Sequence, residues 1–288
     1  IALLFLSIGV LFWNEGRAVT TARSLAEGRG LVVSIDPARI DPANDGRLVH
    51  ASGVVTISQS LQDPLTGVSA EAVRLVRVVE MFQWREKTSS ETHQTSGGGT
   101  ETVTTYSYDK AWVDHSIDSG DFHSPAGHAN PAMPFAGDAF QVSSAGFGAF
   151  TLGRRVLDEI DADQDLPIAQ IPSDFSADLL GLKSSISGGR ILLSARPEGT
   201  SIGDMRIGYR IAPVGETSLI AQQTGDGFSG YRTRAGDTLL MVEPGRISAE
   251  DMFASAEADN TIFTWIVRVV GLLVLFIAFG LITGPITV

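Results

Sequence analysis

The sequence predicts an α+β protein in which a β-rich extramembrane domain, with room for two subdomains, is flanked by transmembrane helices. Three observations carry that reading. Both ends are apolar runs almost free of charge, the interior has the composition of a soluble domain, and its β-branched runs are separated by Gly, Pro, Asp and Asn clusters. A net charge of -12, from 21 basic and 33 acidic side chains, opposes attraction to phosphate backbones and argues against a nucleic-acid partner. The chain has no cysteine, so it uses neither disulfides nor reactive thiols and fits either redox compartment.

At the N-terminus, "IALLFLSIGVLFW" covers roughly 20 Å of a ~30 Å hydrocarbon core at ~1.5 Å per residue. Residues 1–14 therefore read as the later part of a spanning helix whose start lies outside this sequence. The competing reading, a signal peptide, lacks a small-x-small cleavage site before "NEGRAV". Trp13 suits the membrane interface. Residues 15–30 keep a helical composition and end on Gly28 and Gly30, which reads as a rigid stalk.

Three β-rich runs follow in a first subdomain, residues 31–150: "LVVSI", "RLVHASGVVTISQ" and "EAVRLVRVVEMFQWRE". The third lacks clean alternation, as a strand covered on both faces would. "ETVTTYSYDKAWV" does alternate and sets Tyr106, Tyr108 and Trp112 on one face. These last two runs enclose the polar, glycine-rich "KTSSETHQTSGGGT", so a long hairpin with a mobile end is expected. Residues 151–189 are expected to hold a helix, from the spacing around 149–160, and then a Pro, Asp and Ser linker. A second β-rich subdomain, 190–246, offers five short strands. "PGRISAEDMFASAEA" restarts a membrane-proximal helix over 247–260, capped by Ser248 with Glu250 and Asp251 in its first turn.

The final span, residues 261–283, carries one charge, Arg268, placed where a guanidinium can snorkel to the headgroups; with Trp13 and Trp265 it is assigned to the interface. Gly280 and Gly284 form one small-x-x-x-small pair. Flanking charges conflict over the side of the membrane. Arg17, Arg23 and Arg29 favour the cytoplasm, whereas Glu250, Asp251, Glu257 and Asp259 precede the last span without a basic neighbour.

Several strings mimic catalytic motifs. "GTSIG" at 199–203 lacks the helix a nucleophile elbow needs, "GDGFSG" at 225–230 lacks the helix N-terminus a pyrophosphate needs, and "DADQD" at 161–165 puts Leu166 and Pro172 where a calcium loop needs Gly and Glu. The densest chemistry lies in "AWVDHSIDSGDFHSPAGHANP", residues 111–131, where His115, His123 and His128 accompany Asp114, Asp118 and Asp121. Their spacing ties no two ligands to one element, unlike HExxH. The plainer reading is a proline-bounded corner in which His128 and Asn130 hold backbone while Trp112 and Phe122 pack beneath. No cofactor is expected.

In order along the chain stand "WNEGRAVTTARSLAEG", "GRLVH", "DPLTGV", "VEMFQW", "YSYDKAW", "GHANP", "GDMRI", "IAQQTGD", "GDTLL" and "SAEDMF". With these blocks the chain resembles the LUMA family, transmembrane protein 43, over nearly its whole length. Trp84, Trp112, Phe122, Gly127, His128, Asn130 and Pro131 agree with the family pattern; His115 and His123 do not. The resemblance implies a first spanning helix, a large luminal or periplasmic domain, and further C-terminal spans, of which this sequence holds the first. It also implies a non-enzymatic scaffold that associates with itself, with membrane lipids and with other membrane proteins. Animal members are placed in the endoplasmic reticulum and inner nuclear membrane with lamina partners. Eighteen Arg against three Lys, 21 together, fits a GC-rich bacterial source and hence an inner membrane with the domain in the periplasm. Two other readings are a metal-dependent hydrolase using the 114–128 cluster and a channel or transporter subunit.

Overall fold

The computed structural model describes residues 2–94, 99–173, 175, 181–196 and 200–283. The chain folds into two compact units, and it passes between them several times. One unit comprises Ile1–Ser58, Ser143–Ile160 and Val214–Val288; the other comprises Gln59–Val142 and Asp161–Pro213. This division does not follow the contiguous subdomains that the sequence suggests, because the strands that pair are far apart along the chain. Strands are numbered along the whole chain.

The first unit contains helix α1 (Ala2–Leu31), strands β1 (Val33–Ser34), β2 (Leu48–Thr56), β8 (Ser144–Phe147) and β9 (Phe150–Gly153), and the short α2 (Arg154–Leu157). It continues with β14 (Gly215–Thr224), β15 (Gly227–Ser229), β16 (Tyr231–Arg232), β17 (Thr238–Leu239), β18 (Met241–Pro244) and helix α3 (Ala249–Thr283). Its sheet runs β15-β14-β2-β8-β9, with β1 parallel to β2 and β18 on β14. Leu219 of β14 lies opposite Ala51 of β2. Leu48, Ile220, Leu239, Met252, Phe253 and Leu25 form one buried cluster, so both long helices enter the same core. Gly28 is required there: a Cβ on it would collide with Leu239 and meet the Phe253 ring at 3.0 Å.

The helix expected around 149–160 is mostly strand. Phe147, Phe150 and Leu152 are buried, and Gly148 at φ +61° turns the chain between β8 and β9. Only Arg154–Leu157 is helical; buried Val156 and Leu157 supplied the apolar spacing that suggested a longer helix. The membrane-proximal helix and the last span are one continuous helix, Ala249–Thr283, because nothing from Ser255 to Trp265 breaks it.

The second unit contains β3 (Leu61–Gln62), β4 (Ser69–Ala70), β5 (Ala72–Gln94), β6 (Thr100–Val113), β7 (Asp138–Gln141), β10 (Gln164–Leu166), β11 (Lys183–Ser187), β12 (Arg190–Ser194) and β13 (Met205–Pro213). The sheet order is β11-β12-β13-β5-β6, with β7 on β5 and β10 on β13. Burial along β5 alternates, unlike the two-sided burial its composition suggests. Leu75, Arg77, Val79, Met81 and Gln83 face inward, towards Ile191, Leu193, Met205 and Ile207. The even-numbered residues are half-buried, because Phe82 lies under Trp112 at 5.5 Å and Trp112 under the Arg206 guanidinium at 4.6 Å.

Beyond Glu86 the β5–β6 pair runs on as a two-stranded ribbon, in constant register to Gln94 opposite Thr100. Hydroxyls pair across it, Ser90 with Thr104 at 3.1 Å and Thr92 with Thr102 at 3.2 Å. The expected mobile tip, residues 95–98, lies outside the described residues, as do much of the linker at 176–180, Gly199 of "GTSIG" and Gly284. "GDGFSG" makes the β14–β15 turn with Gly225 at φ +61°, and "DADQD" runs into β10.

Candidate functional site

α1 and α3 lie antiparallel and are fastened by a polar clasp. Asn14 is fully buried and its Nδ2 donates to the Thr264 carbonyl at 3.1 Å. One turn further along α1, Arg17 donates to Asn260 Oδ1 at 2.9 Å and to Thr264 Oγ1 at 3.0 Å, with its guanidinium 4.5 Å from the centre of the Phe263 ring. Asn260 returns a bond to the Ala18 carbonyl at 3.1 Å. Since Asn14 meets Thr264, Trp13 and Trp265 stand at one level, and both are more than half exposed. From Trp265 to Thr283 the helix extends about 28 Å, which matches a ~30 Å hydrocarbon core.

Arg268 lies one turn past Trp265, on the apolar side. Its Nε and Nη2 donate to the two Glu15 carboxylate oxygens at 2.6 and 2.7 Å, a bidentate pair reaching back towards the headgroup level. The guanidinium thus has a specific acceptor on the other helix. Below it, Leu11 packs on the backbone of Gly271, where a Cβ would be 2.6 Å from it. Reversing one charge, Arg268→Glu, sets two carboxylates together; we expect a lower thermal midpoint in detergent, largely restored in the Glu15→Arg/Arg268→Glu double variant. Equal midpoints for the single and double variants would refute the pairing.

Outside the apolar segments the helices stay locked to the first unit. The Ser24 and Thr233 hydroxyls are 2.9 Å apart, the Arg234 amide donates to Glu27, and Arg29 pairs with Glu257 at 2.9 Å.

In the second unit the 111–131 segment folds over the even-numbered face of the hairpin. Asn130 acts as an extra rung of sheet: its Oδ1 accepts from the Trp84 amide at 2.8 Å and its Nδ2 donates to the Trp84 carbonyl at 3.0 Å. His128 stacks on Tyr108 at 3.9 Å, meets Trp84 edge-on at 4.8 Å, and donates from Nδ1 to the Ser124 carbonyl at 2.9 Å. Gly127, at φ +83°, takes the left-handed position of the Pro125–His128 turn. Phe122 packs 5.8 Å from Tyr108, and Pro131 packs close to the backbone of Gly203. Lys110 stands 4.4 Å over Trp84.

The three histidines do not converge. His115 bonds Asp114 at the exposed rim, His123 stacks on Tyr106 at 4.1 Å, and His128 is held by Tyr108 and Ser124. Among the described residues, no group of three or more His, Asp or Glu side chains is arranged to hold a metal ion.

Three comparisons bear on identity. A model of the family described as Transmembrane protein 43 matches residues 81–288. Transmembrane protein 43 of Mus musculus and that of Homo sapiens are each 35% identical over 291 residues, covering 96% of this chain and 71% of the relative. The chain belongs to the transmembrane protein 43 family. The Transmembrane protein 43 homolog of Drosophila melanogaster is 31% identical over 282 residues. No solved structure matches. The family description names a membrane setting and no reaction, and the two apolar helices of this member agree with that setting.

Mapped on this transmembrane protein 43 member, the sequence blocks fall on structural joints. "DPLTG" forms the loop between β3 and β4, and its Asp63 is the centre of a buried network that sequence reasoning missed. Asp63 accepts from Arg77 at 2.5 Å, from Tyr209 at 2.5 Å, from Thr66 at 3.1 Å and from the Leu65 amide at 2.9 Å. Burial alone would raise its carboxyl, but the bonds from Tyr209, Arg77 and Leu65 outweigh it and hold the group below the usual carboxylate range. Burial and the adjacent Asp63 keep the Tyr209 phenol protonated well above its ordinary value. Also missed were Glu86, which accepts from the Tyr108 hydroxyl and the His123 amide, and Gln83, fully buried and bonded to His115 O and Ile117 N. An Arg and a Gln on the inward face of a strand are the signal that would have found these partners.

Proposed function

We propose that this family member is a membrane-anchored, non-enzymatic scaffold that self-associates and organises membrane or membrane-protein assemblies through its luminal or periplasmic body. The observation that carries the reading is the clasped helix pair. Asn14, Glu15 and Arg17 on α1 and Asn260, Thr264 and Arg268 on α3 lock the two helices in one register at the bilayer surface. Leu25 and Phe253, in one buried cluster, carry that register into the core of the first unit. A first unit held so stiffly at its root presents fixed surfaces to neighbours anchored in the same membrane, which suits an assembly platform. Its partners are further copies of itself, membrane lipids and other membrane proteins; in a bacterium the body would stand in the periplasm, in an animal cell in the lumen of the endoplasmic reticulum or nuclear envelope. After extraction in mild detergent, light scattering at micromolar protein is expected to give a mass of several copies. A single-copy mass would overturn the proposal.

A further inference from the structure

Among the described residues the hairpin leaves a long sheet edge without a partner, and we propose that a second copy of this chain pairs with it, β6 to β6, antiparallel and centred on Thr104. The inference rests on the scaffold reading and names the surface through which copies meet. Its starting point is the direction of the backbone groups. Trp84 exchanges both of its backbone bonds with Asn130, on the side of β5 away from β6, so Trp84 and its partner Lys110 form a non-hydrogen-bonded pair. Register is constant along the hairpin, so the pairs Glu86–Tyr108, Thr88–Tyr106, Ser90–Thr104 and Thr92–Thr102 are of the same kind. The amides and carbonyls of Thr102, Thr104, Tyr106 and Tyr108 therefore point outwards from the sheet, and among the described residues none has a hydrogen-bond partner.

Edge strands are ordinarily blunted by Lys, Pro or a bulge. From Thr102 to Tyr108 the edge reads TVTTYSY, with no charge, no proline and no break in register, and Val103 is 47% exposed. The opposite side of the ribbon differs: Asn130 covers its root at Trp84, and Glu91 puts a charge on the strand further out.

A second copy is the occupant because the edge is self-complementary. With Thr104 opposite Thr104, Thr102 faces Tyr106, Val103 faces Thr105 and Glu101 faces Ser107, with no like charges opposed. Centring one residue later would set Glu101 against Asp109. One pair of edges this short buries less than the ~1,200 Å² of a stable soluble interface. A freely diffusing peptide gains too little from it. A neighbour anchored in the same bilayer meets the edge at an effective concentration in the mM range, where a weak pairing suffices.

The absence of cysteine makes the test clean. Thr102→Cys, Thr104→Cys and Tyr106→Cys, each in this 288-residue chain, are oxidised in membranes with copper phenanthroline and run without reductant. Hydrogen-bonded antiparallel partners lie about 5.5 Å apart at Cα, within disulfide range. The expected result is a dimer band at least fivefold stronger for Thr104→Cys than for the other two, whose like positions would be about 13 Å apart. Thr104→Pro removes the outward amide and the exposed hydroxyl contact with Ser90 but leaves the backbone ladder of the hairpin intact; it should reduce the detergent-extracted mass while leaving the thermal midpoint within a degree or so of that of Thr104→Ala, which loses the same hydroxyl and keeps the amide. Equal, weak bands at all three positions from a multi-copy particle would overturn the edge pairing and leave the scaffold reading standing. A disulfide-linked adduct to a different protein would overturn it as well. A single-copy mass for the unaltered chain would instead remove the scaffold reading beneath it.

Discussion

Asp63→Ala is expected to destabilise the second unit by about 3–5 kcal/mol, because it removes the buried carboxylate that faces the Arg77 guanidinium and leaves it only the more exposed Asp138 at 3.8 Å. Asp63 is fully buried and Arg77 is 7% exposed, so water cannot replace the lost partner. The Tyr209 hydroxyl loses its carboxylate acceptor at the same time and keeps only the Thr66 hydroxyl. Replacing both ions, Asp63→Ala with Arg77→Met, should recover most of the loss, since two apolar side chains carry no desolvation penalty. Chemical unfolding of the full chain in detergent, followed by tryptophan fluorescence, measures both. A double variant as unstable as the single would mean that packing, not charge, carries the network. The pH dependence has a definite sign. The Asp63 carboxyl is held below its unfolded value, so its contribution is complete above about pH 4 and is lost as pH falls.

Asn130→Ala should cost about 1–3 kcal/mol, from two bonds to the Trp84 backbone that nothing else in the corner can make. Asn130→Asp separates this from mere volume. The aspartate keeps the acceptor for the Trp84 amide, but it sets a carboxylate oxygen against the Trp84 carbonyl where an N–H stood. We expect Asn130→Asp to be at least as destabilising as Asn130→Ala at pH 7 and to improve as the carboxyl protonates at low pH. Unfolding midpoints across pH 4–7 test this; an aspartate variant matching the unaltered protein at pH 7 would remove the rung assigned to Asn130. Release of the corner should also free His128 from Tyr108, read as increased proteolysis between Ser119 and Pro131.

What the sequence made legible was what is local. Two apolar runs disclosed the terminal helices, and alternation in "TVTTYSYDKAW" placed Tyr106, Tyr108 and Trp112 on one face, where His123, His128 and Phe82 meet them. Long-range pairing was not legible. β2 and β14 join Ala51 to Leu219, so the chain leaves the first unit and returns, and no composition boundary marks the exchange at Pro213. The stretch around residues 149–160 misled for a related reason: Phe150, Leu152, Val156 and Leu157 fit a helical spacing, but Gly148 commits the first two to a hairpin. Arg268 could be read as an interfacial snorkel, while its acceptor, Glu15, sits on a helix 253 residues away. One charge bordering each of two apolar runs is the pattern that would have joined them. In the histidine cluster the sequence could count ligands but not aim them, and ring stacking on Tyr106 and Tyr108 takes His123 and His128 in separate directions.

The central claim is that copies of this chain assemble in the membrane, and it is tested most directly by counting copies where they sit. With the chain fused to a single fluorophore and expressed at low density, stepwise photobleaching of spots in intact membranes should give several steps per spot. Single-step spots throughout, at densities where Thr104→Pro behaves no differently, would contradict it.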